Sequence, residues 1–152
     1  MALFHYTRRF NENNGYKSLG SGRAEGKIIG GNLCTLNLLQ GTEFMPDLTD
    51  TILFLEDDGM TSPETFDRDL QSLIHQPNFE KVRGIVFGRF QIQSKMEEGL
   101  LEKIINTKAE LKNMPIIYDA DFGHTTPHLT FPVGGYAEIS AGENIEIIIK
   151  KH

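Results

Sequence analysis

Two stretches decide the fold of this chain: Thr51-Ile52-Leu53-Phe54-Leu55-Glu56-Asp57-Asp58 and, shortly after it, Ser62-Pro63-Glu64. The first is an apolar run that ends abruptly in carboxylates, the pattern of a buried strand leaving a core. The second is a helix start, with a capping hydroxyl, proline at the first helical position and an acid in the first turn. Phe66, Leu70, Leu73 and Ile74 follow at helical spacing. Gly84-Ile85-Val86-Phe87-Gly88 then reads as another buried strand, so strand, helix and strand succeed one another.

The same alternation extends outward. Glu97 to Leu111 carries Leu100, Leu101, Ile104 and Ile105 and is expected to form a second amphipathic helix. Pro115-Ile116-Ile117-Tyr118 is a strand that runs into a loop, and Tyr136–Ser140 with Ile145–Ile149 forms a hairpin closed by Ala141-Gly142-Glu143-Asn144. Upstream, Ser18 to Gly31 is glycine-punctuated around Ile28-Ile29. Asn32 is placed to cap a short helix whose apolar face is Leu33, Leu36, Leu38 and Leu39 and which Gly41 ends. Leu3-Phe4-His5-Tyr6 reads as a strand almost from the first residue, interrupted by Asn11-Glu12-Asn13-Asn14-Gly15. A native N-terminal strand and a piece of a larger protein both account for that start. Interleaved helices and strands with a strand-rich tail define one mixed domain over residues 1–152, of α/β or α+β type.

Composition narrows the function classes. At 152 residues the chain is one ordinary domain, large enough to bury a real core without staples. A formal charge of −6 argues against nonspecific binding to nucleic acid or anionic lipid. The single cysteine, Cys34, excludes an internal disulfide framework and fits a reducing compartment, so a cytoplasmic location is expected, with Cys34 buried and inert inside its helix. No apolar run reaches membrane-spanning length.

Two residues carry candidate chemistry. Glu56 stands at the end of a strand, either as one of three solvated acids or as the carboxylate that holds a histidine ring through its Nδ1–H. Asp57 and Asp58 are expected to be solvated. His124 lies in Asp121-Phe122-Gly123-His124-Thr125-Thr126-Pro127, a loop whose glycine permits a sharp turn and whose proline forbids a helix. It reads as a structural histidine, as a general base, or as part of a metal cluster with Asp119 and Asp121. Pro127 undoes the helical zinc pair that His124 and His128 would otherwise form. Gly30-Gly31-Asn32 precedes a helix but lacks dinucleotide glycine spacing and a P-loop lysine, which leaves a close approach of backbone to ligand or chain. None of the six serines, Ser18, Ser21, Ser62, Ser72, Ser94 and Ser140, sits in a Gly-x-Ser-x-Gly elbow. An acid and a base are present without a convincing nucleophile.

Six separated blocks resemble the LD-carboxypeptidases, serine peptidases that include the microcin C immunity proteins. They are Gly30-Gly31-Asn32-Leu33, Leu39-Gln40-Gly41-Thr42, Ile52 to Asp57, Gly84 to Phe90, Phe122-Gly123-His124 and Phe131-Pro132-Val133-Gly134-Gly135. The resemblance runs from about Gly20 onward and implies the C-terminal domain of that family, a mixed β-rich α+β unit of swivelling β/β/α type. It further implies that Glu56 is the triad carboxylate and His124 the general base. The nucleophilic serine would come from an N-terminal α/β nucleophile domain absent from this sequence, so the chain alone is expected to be inactive. No cofactor and no metal is implied. The substrate would be a small peptide, as in muropeptide trimming, or a peptidyl-nucleotide. Gly26 to Gly31, Met45-Pro46-Asp47 and Thr125-Thr126-Pro127 resemble the immunity-like branch more. Against it stands the absence of tryptophan, which that branch uses to stack on the nucleobase. Tyr16 is then either the stacking residue or an exposed loop tyrosine. Gly31 and Asn32 are the other expected substrate contacts. Apolar surface left by a separated partner domain would favour a homodimer.

Overall fold

The computed structural model describes residues 15–152; the expected strand at Leu3–Tyr6 and most of the turn at Asn11–Gly15 lie outside the described residues. Seven strands among them form one sheet: β1 (Lys17–Leu19), β2 (Gly22–Asn32), β3 (Thr51–Glu56), β4 (Gly84–Gly88), β5 (Ile116–Ala120), β6 (Tyr136–Ala141) and β7 (Glu146–Lys151). Their order is β1-β5-β4-β3-β2-β6-β7. The central four, β5-β4-β3-β2, are mutually parallel. β1 joins antiparallel at one edge, and β6 and β7 at the other. Parallel strands place all their carboxyl ends together, and that end carries the site. The fold is thus mixed and β-rich, of α+β type, as the resemblance implies.

All of β3 and β4 is buried, which is why both read as unbroken apolar runs rather than alternating ones. Successive residues feed two cores. Leu53, Leu55, Ile85, Phe87 and Ile116 face the helices. Ile52, Phe54, Val86 and Ile117 face the opposite side. The helical layer consists of α1 (Leu33–Asn37), α2 (Pro63–Ile74) and α3 (Leu100–Asn106). Ser62 caps α2 by accepting from Thr65 N–H at 3.3 Å, and Phe66, Leu70 and Leu73 are wholly buried beneath it. Each such side chain contributes about 1.5–3 kcal/mol.

Among the described residues, no helix packs over the second core. Instead the sheet curls, so that Ile139 of β6 reaches across to β4: a Cβ at Gly84 would lie 2.6 Å from Ile139 Cδ1. Phe131, Ile147 and Ile149 complete that interior. Phe54, Phe122 and Phe131 pack with ring centroids 4.8–5.6 Å apart.

Four expectations need correction. The glycine-punctuated stretch is mostly one long strand, β2. Its Gly30 is demanded by proximity to β3, since a Cβ there would lie 1.8 Å from Phe54 O. The second amphipathic helix is shorter than Glu97–Leu111. Gly99, at φ +78°, stands before Leu100, and the Thr107 hydroxyl donates to Ile104 O at 2.7 Å where α3 ends; Leu111 sits in a separate 3-10 turn. Leu38 is exposed because α1 closes at Asn37, leaving only Leu33 and Leu36 buried. Cys34 is exposed rather than buried, because in so short a helix it falls away from those two leucines.

Candidate active site

Glu56 ends β3 and His124 lies in the loop after β5; the two strands flank β4. The His124 Nδ1 and Glu56 Oε2 atoms are 2.6 Å apart, although 68 positions separate the residues. The glutamate side chain is 9% exposed and the imidazole 49%. A buried carboxylate therefore holds one ring nitrogen, while Nε2 has no hydrogen-bond partner among the described residues. This geometry fixes the ring's orientation and favours the Nδ1–H tautomer.

Two glycines make the meeting possible. Gly123, at φ +100°, carries the loop over the carboxylate; a Cβ there would stand 2.9 Å from Glu56 Oε2. Gly88, the last residue of β4, lies between the partners. A Cβ at that position would meet Phe122 O at 2.6 Å and Glu56 Cβ at 3.1 Å.

Asp57 is not the solvated acid expected. It is 1% exposed. Its Oδ1 accepts from Asn32 Nδ2 at 3.0 Å, Thr61 Oγ1 at 2.8 Å and Asp58 N–H at 3.2 Å, while Oδ2 is buried without a hydrogen bond. Burial pushes its carboxyl above the ordinary carboxylate range, and those three donors oppose the shift. Asp58 is half-buried, and its Oδ1 accepts from Met60 N–H at 2.8 Å.

Asn32, paired in register with Glu56, caps α1 by accepting from Thr35 N–H at 2.9 Å. Its Oδ1 and one Nδ2 hydrogen are thus engaged, leaving a second N–H available. Gly31 has φ +141° with open space where a Cβ would point. Tyr16 packs against the interior of the curl and donates its hydroxyl to Asp121 Oδ2 at 3.3 Å, so it is not an exposed loop tyrosine. Burial raises its phenol pKa above the usual value. The structure brings Glu56, His124, Asn32 and Gly31 to the carboxyl ends of β2, β3 and β5, with Tyr16 held on Asp121 beneath.

The three side chains of the metal reading each have another partner. Asp119 pairs with Lys17 at 3.3 Å, Asp121 with Arg89, and His124 with Glu56. Among the described residues no three ligand-type side chains converge. Three of the six serines are engaged elsewhere: Ser62 caps α2, Ser72 donates to Gln40 Oε1 at 2.9 Å, and Ser94 donates to Gln91 O at 2.7 Å. None of these hydrogen bonds reaches the imidazole. Sequence reasoning missed the Asn32–Asp57–Thr61 network, for which the only signal was a second acid, Asp57, two positions past the apolar run Ile52–Leu55. It also missed the Arg89–Asp121–Tyr16 network, for which it had none.

Residues 25–139 match the LD-carboxypeptidase C-terminal domain, and the chain belongs to the LD-carboxypeptidase family. Among relatives, the Bacillus subtilis (strain 168) protein named "Putative carboxypeptidase YocD" is 52% identical over 146 residues, which is 95% of this chain and 45% of that protein. The crystal structure of an MccF-like protein from Bacillus anthracis str. Ames superposes with TM-score 0.89 at 49% identity, covering 96% of this chain and 46% of the other. The immunity protein MccF solved with glutamyl sulfamoyl guanosine gives TM-score 0.73 at 31% identity, covering 95% and 44%. The chain spans under half the length of the relatives it matches. Among the described residues, no helix is long and apolar enough to cross a membrane.

Proposed function

We propose that this domain supplies the glutamate and histidine of a Ser-Glu-His triad, and that the serine belongs to a separate α/β domain docked against the carboxyl ends of the parallel strands. The observation that carries this reading is the 2.6 Å contact between Glu56 Oε2 and His124 Nδ1, with Nε2 left without a hydrogen-bond partner among the described residues. His124 Nε2 takes the serine proton as the hydroxyl attacks an amide carbonyl, then delivers it to the leaving amine. Glu56 stabilises the imidazolium formed between those steps. Met60 and Ile92, 95% and 93% exposed, stand in the loops after β3 and β4 and suit contact with the second domain.

The substrate favoured is an amide joining an amino acid or peptide to a modified nucleotide. Similarity to the immunity protein solved with an aminoacyl sulfamoyl nucleoside supports this branch. Asn32 offers its remaining N–H to a substrate acceptor, Gly31 lets substrate approach the backbone, and Tyr16 stacks on the base. The alternatives are a muropeptide with terminal D-alanine and a non-catalytic module.

The test is complementation. The 152-residue chain alone should hydrolyse neither an aminoacyl sulfamoyl nucleoside nor a muropeptide. The same chain joined to the serine-bearing half of a relative should cleave the nucleoside with the higher kcat/KM, and His124→Ala should abolish turnover. Activity of the chain by itself, or activity surviving His124→Ala, would overturn the proposal. Preference for the muropeptide would move the enzyme to the other branch.

A further inference from the structure

Loops following three parallel strands meet at Gln91. Its Oε1 accepts from Gly59 N–H at 2.7 Å, in the loop that leaves Glu56. Its Nε2 donates to His124 O at 3.1 Å, in the loop that bears the imidazole. A backbone N–H only donates and a carbonyl only accepts, so these partners fix which way round the amide lies. The Gln91 backbone is itself anchored, because its carbonyl accepts from Ser94 N–H at 3.0 Å and from the Ser94 hydroxyl at 2.7 Å. Ser94 is buried. Gly59 fits closely beneath: a Cβ there would lie 2.9 Å from Gln93 Cβ and 3.0 Å from Gln91 Oε1.

We propose that Gln91 is a positioning residue, a clamp that ties the Glu56 loop to the His124 loop and keeps the ring within reach of its carboxylate. The inference rests on the reading of Glu56 and His124 as a proton-handling pair. Gln91 hydrogen-bonds neither the Glu56 carboxylate nor the imidazole ring. It acts through the two backbones. Substitution separates the arms: a glutamate keeps an acceptor for Gly59 but turns a second acceptor against the His124 carbonyl, whereas an alanine removes both.

The experiment uses the 152-residue chain as wild type, Gln91→Ala, Gln91→Glu and Glu56→Gln. Gly59 amide exchange and solvent exchange of the His124 Nδ1 proton are followed by NMR. Gln91→Ala should speed Gly59 exchange about tenfold, the ratio a single neutral hydrogen bond sustains. Gln91→Glu should leave Gly59 near wild type. Both variants should speed ring-proton exchange by a similar factor, while the sheet amides of Ile85 and Ile117 keep their wild-type rates. Wild-type exchange at both reporters in Gln91→Ala, or an equal rise across the sheet, would overturn the clamp. A ring proton unaltered by Glu56→Gln would count against the Glu56–His124 reading instead, and Gly59 would still decide the clamp.

Discussion

Gly123→Ala should damage the Glu56–His124 pair through one added methyl group. The residue stands at φ +100°, where a side chain costs about 1–3 kcal/mol whatever the space around it. The new Cβ would lie 2.9 Å from Glu56 Oε2 and 3.1 Å from Glu56 Cβ, whereas ordinary contact begins near 3.4 Å. The carboxylate must therefore retreat by about half an ångström, and the overpacking adds about 1–2 kcal/mol. The atom that retreats is the one holding His124 Nδ1 at 2.6 Å, so the bond lengthens from the short charge-assisted range toward the ordinary one. Gly134→Ala is the internal control, with φ +87° and nothing within 4 Å of the added carbon. Urea unfolding of both variants should show Gly123→Ala as the less stable by about 1–2 kcal/mol. In the assembled hydrolase kcat should fall about tenfold, since a 1 Å misplacement costs about 100-fold. Equal unfolding midpoints for the two variants, with full turnover, would refute the reasoning.

Glu56→Gln in the assembled enzyme should lower kcat by about 10³–10⁴-fold with little change in KM, because the loss falls on the imidazolium formed in the transition state. Asp57→Asn tests the buried acid. Its carboxyl pKa is raised on folding, so its favourable contribution is complete below the unfolded pKa and disappears as pH rises through the folded value. The melting-temperature difference, Asp57→Asn minus wild type, should therefore grow more positive as pH climbs out of the ordinary carboxylate range, and a difference that is flat or falling with pH would count against this account. Gly30→Ala places a carbon 1.8 Å from Phe54 O, between two backbones that cannot both stay in place. It should cost more than about 3 kcal/mol or prevent folding, as circular dichroism would report.

Much of the sheet and its longest helix was legible because those elements satisfy local rules. β3 and β4 are short apolar runs with polar or glycine ends, and α2 carries cap, proline and periodic core in one stretch. β2 was obscured because its glycines answer a contact with β3 that no local window contains. Asp57 was misjudged for a related reason: its burial depends on Asn32, on a different strand. From the residues alone, Glu56 reads either as a solvated acid or as the carboxylate orienting a histidine, and His124 as one of several kinds of histidine. The resemblance narrows those alternatives to triad carboxylate and general base, and the register across β3, β4 and β5 supplies the physical link between them.

Gly88 has a further consequence. The acid ends β3 and the base lies in the loop after β5, so they touch only by bridging the tip of β4, and the width of that gap is set by a side chain that is not there. Any larger residue would pry the two apart, which makes this position a mutational dead end unless both neighbours change in concert. Freedom to change side chains at this end of the sheet is thereby left to the loop tips, where exposed Met60 and Ile92 can be replaced without widening the gap.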